Sequence, residues 1–226
     1  MSEVHLGLKL GQPHEAHGLV VVEREDRQFT VRTIHRFAAG TAYTTVAEQV
    51  AEALGKLQEH QPQLYLDITG LGQPIQEIIT RRLAGIRCPL FAATFTYGDR
   101  CEWDHASVTV GKLYLLSQIK ALLQEGWLHL PDTEETRQLV QDIKSYQPTI
   151  DPQANDRYGA FTVGRRDELV TALGLAVLDT RRSAQMYLDA LCRRRELAVQ
   201  RNAAPTQGQM GQAAYALPVH KKPWWE

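Results

Sequence analysis

Residues 64–79 read LYLDITGLGQPIQEII, and this stretch changes from the pattern of a strand to that of a helix within a few residues. The apolar run before Asp67 predicts a short buried strand, the following glycines predict a turn, and Pro74 marks the start of a helix that Gly85 closes. Ligands in α/β sheets bind at the ends of such strands, where glycines let a ligand approach the backbone. Asp67 is therefore a candidate site residue, although the same position also suits an aspartate that only tightens the turn.

The elements around this stretch predict a mixed α/β sheet flanked by helices. Before it, residues 4–10 and 18–24 form a predicted hairpin, residues 28–37 a third strand, and residues 44–57 an amphipathic helix. After it, the predicted elements are a strand at 88–94, a helix at 110–125, an extended piece at 127–131, a helix at 133–146, a strand or turn at 158–164 and an apolar helix at 165–180.

Composition indicates the general class of the protein but does not indicate its function. The chain of 226 residues is long enough for one large domain or for a domain with an appendage. Its 25 Lys and Arg against 26 Asp and Glu neither suggest nor exclude nucleic acid. Cys88, Cys101 and Cys192 have no metal-ligand spacing and are typical of reduced thiols. No apolar run reaches the ~18 residues of a membrane span, so we expect a soluble, cytoplasmic protein.

A second acidic position opens the apolar helix near residue 168. Asp167 and Glu168 are adjacent there and precede the run LVTALGLAVL. Acids are common in the first turn of a helix, where they complement the helix dipole, so this pair has an ordinary structural interpretation as well. Neither this pair nor Asp67 is specific when it is taken separately.

Taken in order, these segments resemble the nuclease domain of the large terminase, the viral protein family that packages DNA into procapsids. LYLDITGLGQPIQEII resembles the segment in which an acid follows a strand and a TGxG turn leads into a helix. VGKLYLLSQIKALLQEGWLHLP resembles the family's segment with a lysine, two leucines and a final G-x-L-x-I-P, and GRRDELVTALGLAVL resembles its HDDxxxALxLA segment. The resemblance covers residues 4–180. It implies an RNase H-like domain at 1–180. Beyond it we expect an Arg-rich helix at 181–202, and the scarcity of bulky apolar residues predicts a disordered tail at 203–226.

The resemblance also implies a metal-dependent active site. Asp67, Asp167 and Glu168 match the family's catalytic, metal-binding acids, and Glu15 matches a position that is often acidic. In the family such acids hold two divalent cations that activate a water and stabilise the leaving oxygen, and Mg²⁺ or Mn²⁺ suits carboxylate ligands.

The same resemblance implies double-stranded DNA as a partner. Lys112, Arg165 and Arg166 are the candidate DNA-binding residues, and Arg166 stands where the family usually has a histidine. No GxxxxGK[ST] phosphate loop occurs in the sequence, so a separate terminase ATPase or the portal is an expected partner. The expected location is the cytoplasm of a bacterial host, as a phage or prophage protein.

A second residue departs from the family pattern, in the first strand. The family's first strand carries a metal-binding aspartate in a G-x-D-x-G context, whereas residues 7–11 read GLKLG and place Lys9 at that position. An ammonium group beside Asp67 would act as a counter-ion and would compete with a metal for the same carboxylates. The alternative is that Lys9 extends to solvent from an exposed strand face.

Three functions stay open at this point. The first is a metal-dependent DNA endonuclease of viral genome packaging, impaired because Lys9 replaces the first acidic ligand. The second is a catalytically inactive RNase H-like module that binds DNA or a packaging partner. The third, a Holliday-junction resolvase on the same fold, would show a preference for four-way junctions over linear duplex.

Overall fold

The computed structural model describes residues 2–96, 98–145 and 167–178. Within these ranges eight strands form one sheet, and five α-helices and one 3-10 turn at Gln58–His60 accompany it. The strands are β1 (Glu3–Lys9), β2 (His17–Glu25), β3 (Gln28–Phe37), β4 (Gln63–Asp67), β5 (Leu90–Thr96), β6 (Cys101–Asp104), β7 (Ser107–Gly111) and β8 (Leu128–His129). The helices are α1 (Tyr43–Lys56), α2 (Gly72–Arg82), α3 (Lys112–Gln124), α4 (Glu134–Ser145) and α5 (Glu168–Ala176).

The sheet is mixed, with the order β6-β7-β5-β4-β1-β2-β3-β8. The first three strands form an antiparallel meander, and β4 then pairs parallel to β1 on its other side. The parallel pairings continue from β4 to β5 and from β5 to β7. As a result β1 lies near the middle of the sheet and is buried on both faces: Val4, Leu6 and Leu8 face one side, and His5, Gly7 and Lys9 alternate with them on the other.

Helices cover both faces of the sheet. On one face, α1 and α2 pack on alternate residues of β1, β2 and β4, with Leu6 and Leu66 at the centre. On the other face, α3, α4 and α5 pack on β2 and β3 through residues such as Val20 and Leu173. Each face thus has its own apolar core, and the helices of the described residues include none that is long and apolar enough to cross a membrane.

Helix α5 lies unusually close to the sheet because two glycines face it. A Cβ atom added to Gly7 of β1 would lie 1.9 Å from the backbone oxygen of Ala172, and one added to Gly18 of β2 would lie 2.5 Å from the backbone oxygen of Glu168. Every side chain of α5 is buried. The apolar helix predicted at 165–180 is therefore confirmed over its described part, and the glycines explain how it fits against the strands.

The main differences from the sequence-based prediction lie between β5 and α3. The helix predicted at 110–125 begins only at Lys112, because residues 107–111 pair with β5 as strand β7. The β6–β7 hairpin was missed, since its turn contains His105 at a positive φ of 52° rather than a glycine. Helix α2 begins at Gly72 instead of Pro74. The strand or turn predicted at 158–164, the helix at 181–202 and the tail at 203–226 lie outside the described residues.

Candidate functional site

The candidate site is a row of side chains across the middle of the sheet. Lys9, the last residue of β1, pairs with Asp67 at the end of β4 and with Gly18 of β2. Gly18 pairs in turn with Arg36 of β3. Because directly paired residues project from the same face, Asp67, Lys9 and Arg36 all point toward the helix layer that contains α5. Gly18 has no side chain, and the N-terminus of α5 occupies that place in the row.

Lys9 and Asp67 form an ion pair in the centre of this row. Lys9 Nζ donates a hydrogen bond to Asp67 Oδ2 over 2.5 Å, and the two side chains are 15% and 0% exposed. Burial by itself lowers the pKa of the Lys9 ammonium, but the charge and hydrogen bond of Asp67, with smaller contributions from Asp167 and Glu15, raise it above its usual value. The Lys9 side chain therefore stays charged at neutral pH. Because this side chain is only 15% exposed, the alternative that it lies on an exposed strand face is wrong.

The turn after β4 fixes the second oxygen of Asp67. The backbone N–H of Thr69 donates to Asp67 Oδ1 over 2.8 Å, and the Thr69 hydroxyl oxygen accepts a hydrogen bond from the N–H of Phe95 over 2.8 Å. Asp67 thus does tighten the turn, as one interpretation of the sequence predicted, while its other oxygen serves the ion pair. Both oxygens of this fully buried carboxylate are occupied.

The acids of α5 each have a cation of their own. Lys112, at the start of α3, donates to Asp167 Oδ2 over 2.9 Å, and its ammonium also lies 5.8 Å from the centre of the Phe95 ring. Arg36 Nε lies 2.7 Å from Glu168 Oε1. Glu168 is buried, with a side chain only 8% exposed, whereas the Asp167 side chain is 27% exposed. The structure therefore brings Asp67, Asp167 and Lys9 into one charged cluster, with Glu168 beside it.

Glu15 lies in the turn between β1 and β2 and is exposed. Its Oε2 accepts a hydrogen bond from the N–H of Gln12 over 2.9 Å, so its carboxylate closes the turn. Its charge still contributes to the raised pKa of Lys9, which places it within electrostatic range of the cluster.

A buried histidine that the sequence did not distinguish holds the base of this turn. The ring of His17 is fully buried, Nδ1 accepts a hydrogen bond from the N–H of Gly11 over 3.0 Å, and Nε2 lies 2.9 Å from the carbonyl oxygen of Thr41. The two contacts require the proton on Nε2. No spacing in the sequence marks His17, because its partners are both backbone groups of loops.

The thiols offer no competing reactive centre within the described residues. Burial raises the pKa of Cys88 and of Cys101 to about 11, so both stay protonated at neutral pH. Cys192 lies outside the described residues, as do Arg165 and Arg166, whose proposed contacts with DNA stay predictions.

The arrangement of the acids does not fit a divalent metal. Over the residues that the structure describes, no group of three or more His, Cys, Asp or Glu side chains is placed to hold a metal ion. The physical reason is visible in the pairs: Asp67, Asp167 and Glu168 each lie against a side-chain cation at 2.5 to 2.9 Å. A metal ion at Asp67 would have to displace the Lys9 ammonium from an oxygen that it already contacts.

Comparisons with known proteins give similarity in structure but not in sequence. No protein-family model matches the chain, and no curated protein is similar to it in sequence. The large terminase nuclease of thermophilic phage G20c, solved with bound magnesium, superposes with a TM-score of 0.54 and 16% identity, over 77% of this chain and 80% of that chain. The terminase nuclease domain of human cytomegalovirus, soaked with manganese and bound to an inhibitor, gives a TM-score of 0.50 and 14% identity over 77% and 80% of the two chains.

At these identities the likeness establishes the fold and leaves the activity open. The superposition covers about three quarters of the chain, and the mixed sheet flanked by helices agrees with the architecture predicted from the sequence. This chain therefore has the RNase H-like fold of the phage and viral large terminase nuclease domains.

Proposed function

We propose that this chain is a terminase-nuclease-type domain that acts on double-stranded DNA in viral genome packaging, and that Lys9 disables its metal-dependent cleavage. The fold supports the first half, since the two structural neighbours are viral terminase nucleases that bind or were soaked with magnesium or manganese. One observation carries the second half: Lys9 Nζ lies 2.5 Å from Asp67 Oδ2 in the middle of the acidic centre.

The ammonium excludes a metal for an electrostatic reason. Mg²⁺ or Mn²⁺ coordinates a carboxylate oxygen at about 2.1 Å, which would place a divalent cation beside the positive charge of Lys9. Lys9 and a metal would compete for the same Asp67 oxygen, and the charge and hydrogen bond of that carboxylate raise the pKa of the Lys9 ammonium in the metal-free site. The carboxylates of the centre therefore stay paired with side-chain cations. Without a metal, the centre lacks the group that would activate a water for cleavage.

The same charge compensation favours binding of DNA without a metal. A bare cluster of carboxylates repels phosphates, whereas Lys9, Lys112 and Arg36 offset most of the charge of the four acids they contact, Asp67, Asp167, Glu168 and Asp142. Lys112, Arg165 and Arg166 remain the proposed phosphate contacts. A separate terminase ATPase or the portal remains the proposed protein partner.

A weakened nuclease is the second candidate, and one observation favours it. Asp67, Asp167 and Glu15 all act electrostatically on the Lys9 ammonium, so the charges of three carboxylates are felt at one position. If Lys9 withdraws from Asp67 when DNA binds, these groups could hold Mg²⁺ or Mn²⁺ in its place. Cleavage by the wild type would then depend on a high concentration of metal.

Plasmid nicking in Mg²⁺ or Mn²⁺ separates the two candidates. We expect nicking by the wild type to stay at background and nicking by Lys9→Asp to exceed that background at least about 100-fold, because even a single metal ion held at Asp67 contributes several kcal/mol to the transition state. Adding Asp67→Asn to Lys9→Asp should abolish the recovered activity. Lys56→Asp makes the same change of charge at an exposed position of α1 and should stay silent.

A mobility-shift assay with duplex DNA in EDTA completes the test. We expect the wild type to bind in EDTA as well as in Mg²⁺, and Lys9→Asp to bind more weakly in EDTA than in Mg²⁺. Nicking by the wild type that is lost in Asp67→Asn would contradict the disabled centre and support the weakened nuclease. Failure of the wild type to bind DNA under either condition would contradict the proposed role on DNA.

A further inference from the structure

Arg36 lies on the opposite side of Gly18 from Lys9, and its guanidinium contacts two helices. Nη2 donates to Asp142 Oδ2 of α4 over 2.7 Å, and Nη1 donates to Gln138 Oε1 of the same helix over 3.1 Å. Nε lies 2.7 Å from Glu168 Oε1 at the start of α5. The side chains of Arg36 and Asp142 are 20% and 19% exposed, so their ion pair is largely shielded from solvent, whereas Gln138 is exposed.

The contact between Arg36 and Glu168 is an ion pair rather than a hydrogen bond. The two atoms lie at hydrogen-bond distance, but the Nε–H bond does not point at the oxygen, and within the described ranges Glu168 Oε1 accepts no hydrogen bond. Glu168 is only 6% exposed, so water compensates little of its charge. The positive charge of Arg36, which Asp142 shares, lies directly against this buried carboxylate.

We propose that Arg36 is a second built-in cation of the acidic centre, which blocks the Glu168 side as Lys9 blocks the Asp67 side. This inference rests on the proposed function and extends it from one position to two. Two divalent cations about 3.5–4 Å apart act together in two-metal nuclease chemistry. Here Lys9 on β1 and Arg36 on β3 flank Gly18, over which the N-terminus of α5 lies. Lys9 pairs with Asp67, and Arg36 pairs with Glu168 of α5. Replacing Lys9 alone therefore opens one cation position and leaves the other closed.

The number of Mn²⁺ ions bound by the full-length protein tests this directly. Electron paramagnetic resonance titration with Mn²⁺ should give no specific ion for the wild type and one for Lys9→Asp. Lys9→Asp with Arg36→Gln should bind two ions, with the spectral broadening of a coupled pair. Lys9→Asp with Arg32→Gln is the matched control, because Arg32 is an exposed arginine of the same strand that pairs with Glu23; it should bind one ion.

The outcomes distinguish this inference from the proposed function. Two ions in Lys9→Asp with Arg36 intact, or no additional ion after Arg36→Gln, would overturn the role of Arg36. A specific ion in the wild type would instead contradict the exclusion of metal by Lys9.

A double-mutant cycle keeps the inference testable if the double variant does not fold. Urea unfolding of Arg36→Gln, Glu168→Gln and the combined variant should give a coupling of about tenfold in the unfolding constant, because each single change leaves a buried partner uncompensated. The exposed pair of Arg32 and Glu23 should give a coupling of about twofold. Equal coupling for the two pairs would show that Arg36 does not compensate Glu168, and the inference would be wrong.

Discussion

Gly7→Ala is expected to lower the free energy of unfolding by about 3 kcal/mol, the upper range for overpacking a core. The added methyl group would lie 1.9 Å from the backbone oxygen of Ala172 and 2.7 Å from the backbone nitrogen of Ala176. Both obstacles are backbone atoms of α5, so no side chain can turn away to make room. The helix must move off β1, which also draws Asp167 and Glu168 away from the sheet. Urea denaturation followed by circular dichroism measures the effect.

Gly55→Ala is the matched control for this prediction. Gly55 lies in helix α1, and a Cβ atom added there meets nothing within 4 Å. Alanine is a better helix former than glycine by about 1 kcal/mol, so the free energy of unfolding should rise slightly. If Gly7→Ala were tolerated as well as Gly55→Ala, the close packing of α5 on β1 would be refuted.

Lys9→Met is expected to destabilise the protein by about 3 kcal/mol, since removing one partner of a buried ion pair leaves the other charge uncompensated. Methionine retains most of the unbranched stem, so the loss reflects the ammonium group rather than a cavity. Asp67 is fully buried and would be left without the cation 2.5 Å from its Oδ2. Denaturant unfolding at neutral pH should show a midpoint that falls with little change in slope.

Two further variants identify the cause of this loss. Asp67→Asn removes the charge that Lys9→Met leaves unpaired, so the double variant should recover a large part of the lost stability. Lys56→Met breaks the exposed pair with Glu52 in α1 and should cost less than about 0.5 kcal/mol. A loss in Lys9→Met as small as that in Lys56→Met would mean that the Lys9–Asp67 pair contributes little to the fold.

The main elements of the fold could be predicted because each is marked by a pattern of residues that are close together in the sequence. The alternating apolar residues of β1, β2 and β3 and the strand that ends at Asp67 carry a clear period in the sequence. The β6–β7 hairpin could not be found this way, since its strands are only four and five residues long and its turn uses His105 at positive φ. Because β7 is so short and α3 follows it directly, the sequence pattern assigns the end of β7 to the first turn of that helix.

Only those site residues that lie within the recognised sequence motifs could be predicted. They selected Lys9, Asp67 and Asp167, and the structure places the Lys9 ammonium against Asp67; the functional role of these residues stays a prediction. Arg36 was missed because its partners, Gln138, Asp142 and Glu168, are more than 100 residues away in sequence. The pairing of Lys112 with Asp167 was missed for a similar reason. Contacts of this kind depend on how the helices pack on the sheet, and no spacing in the sequence encodes them.

The proposed function depends on the Lys9 ammonium, and not a metal ion, occupying the cation position at Asp67. The most direct measurement is anomalous diffraction from crystals of the wild-type protein soaked in Mn²⁺. We expect no anomalous peak within about 2.5 Å of the Asp67 carboxylate and Lys9 Nζ in contact with Asp67 Oδ2. A manganese peak at coordination distance from Asp67, with the Lys9 side chain turned away, would contradict the account.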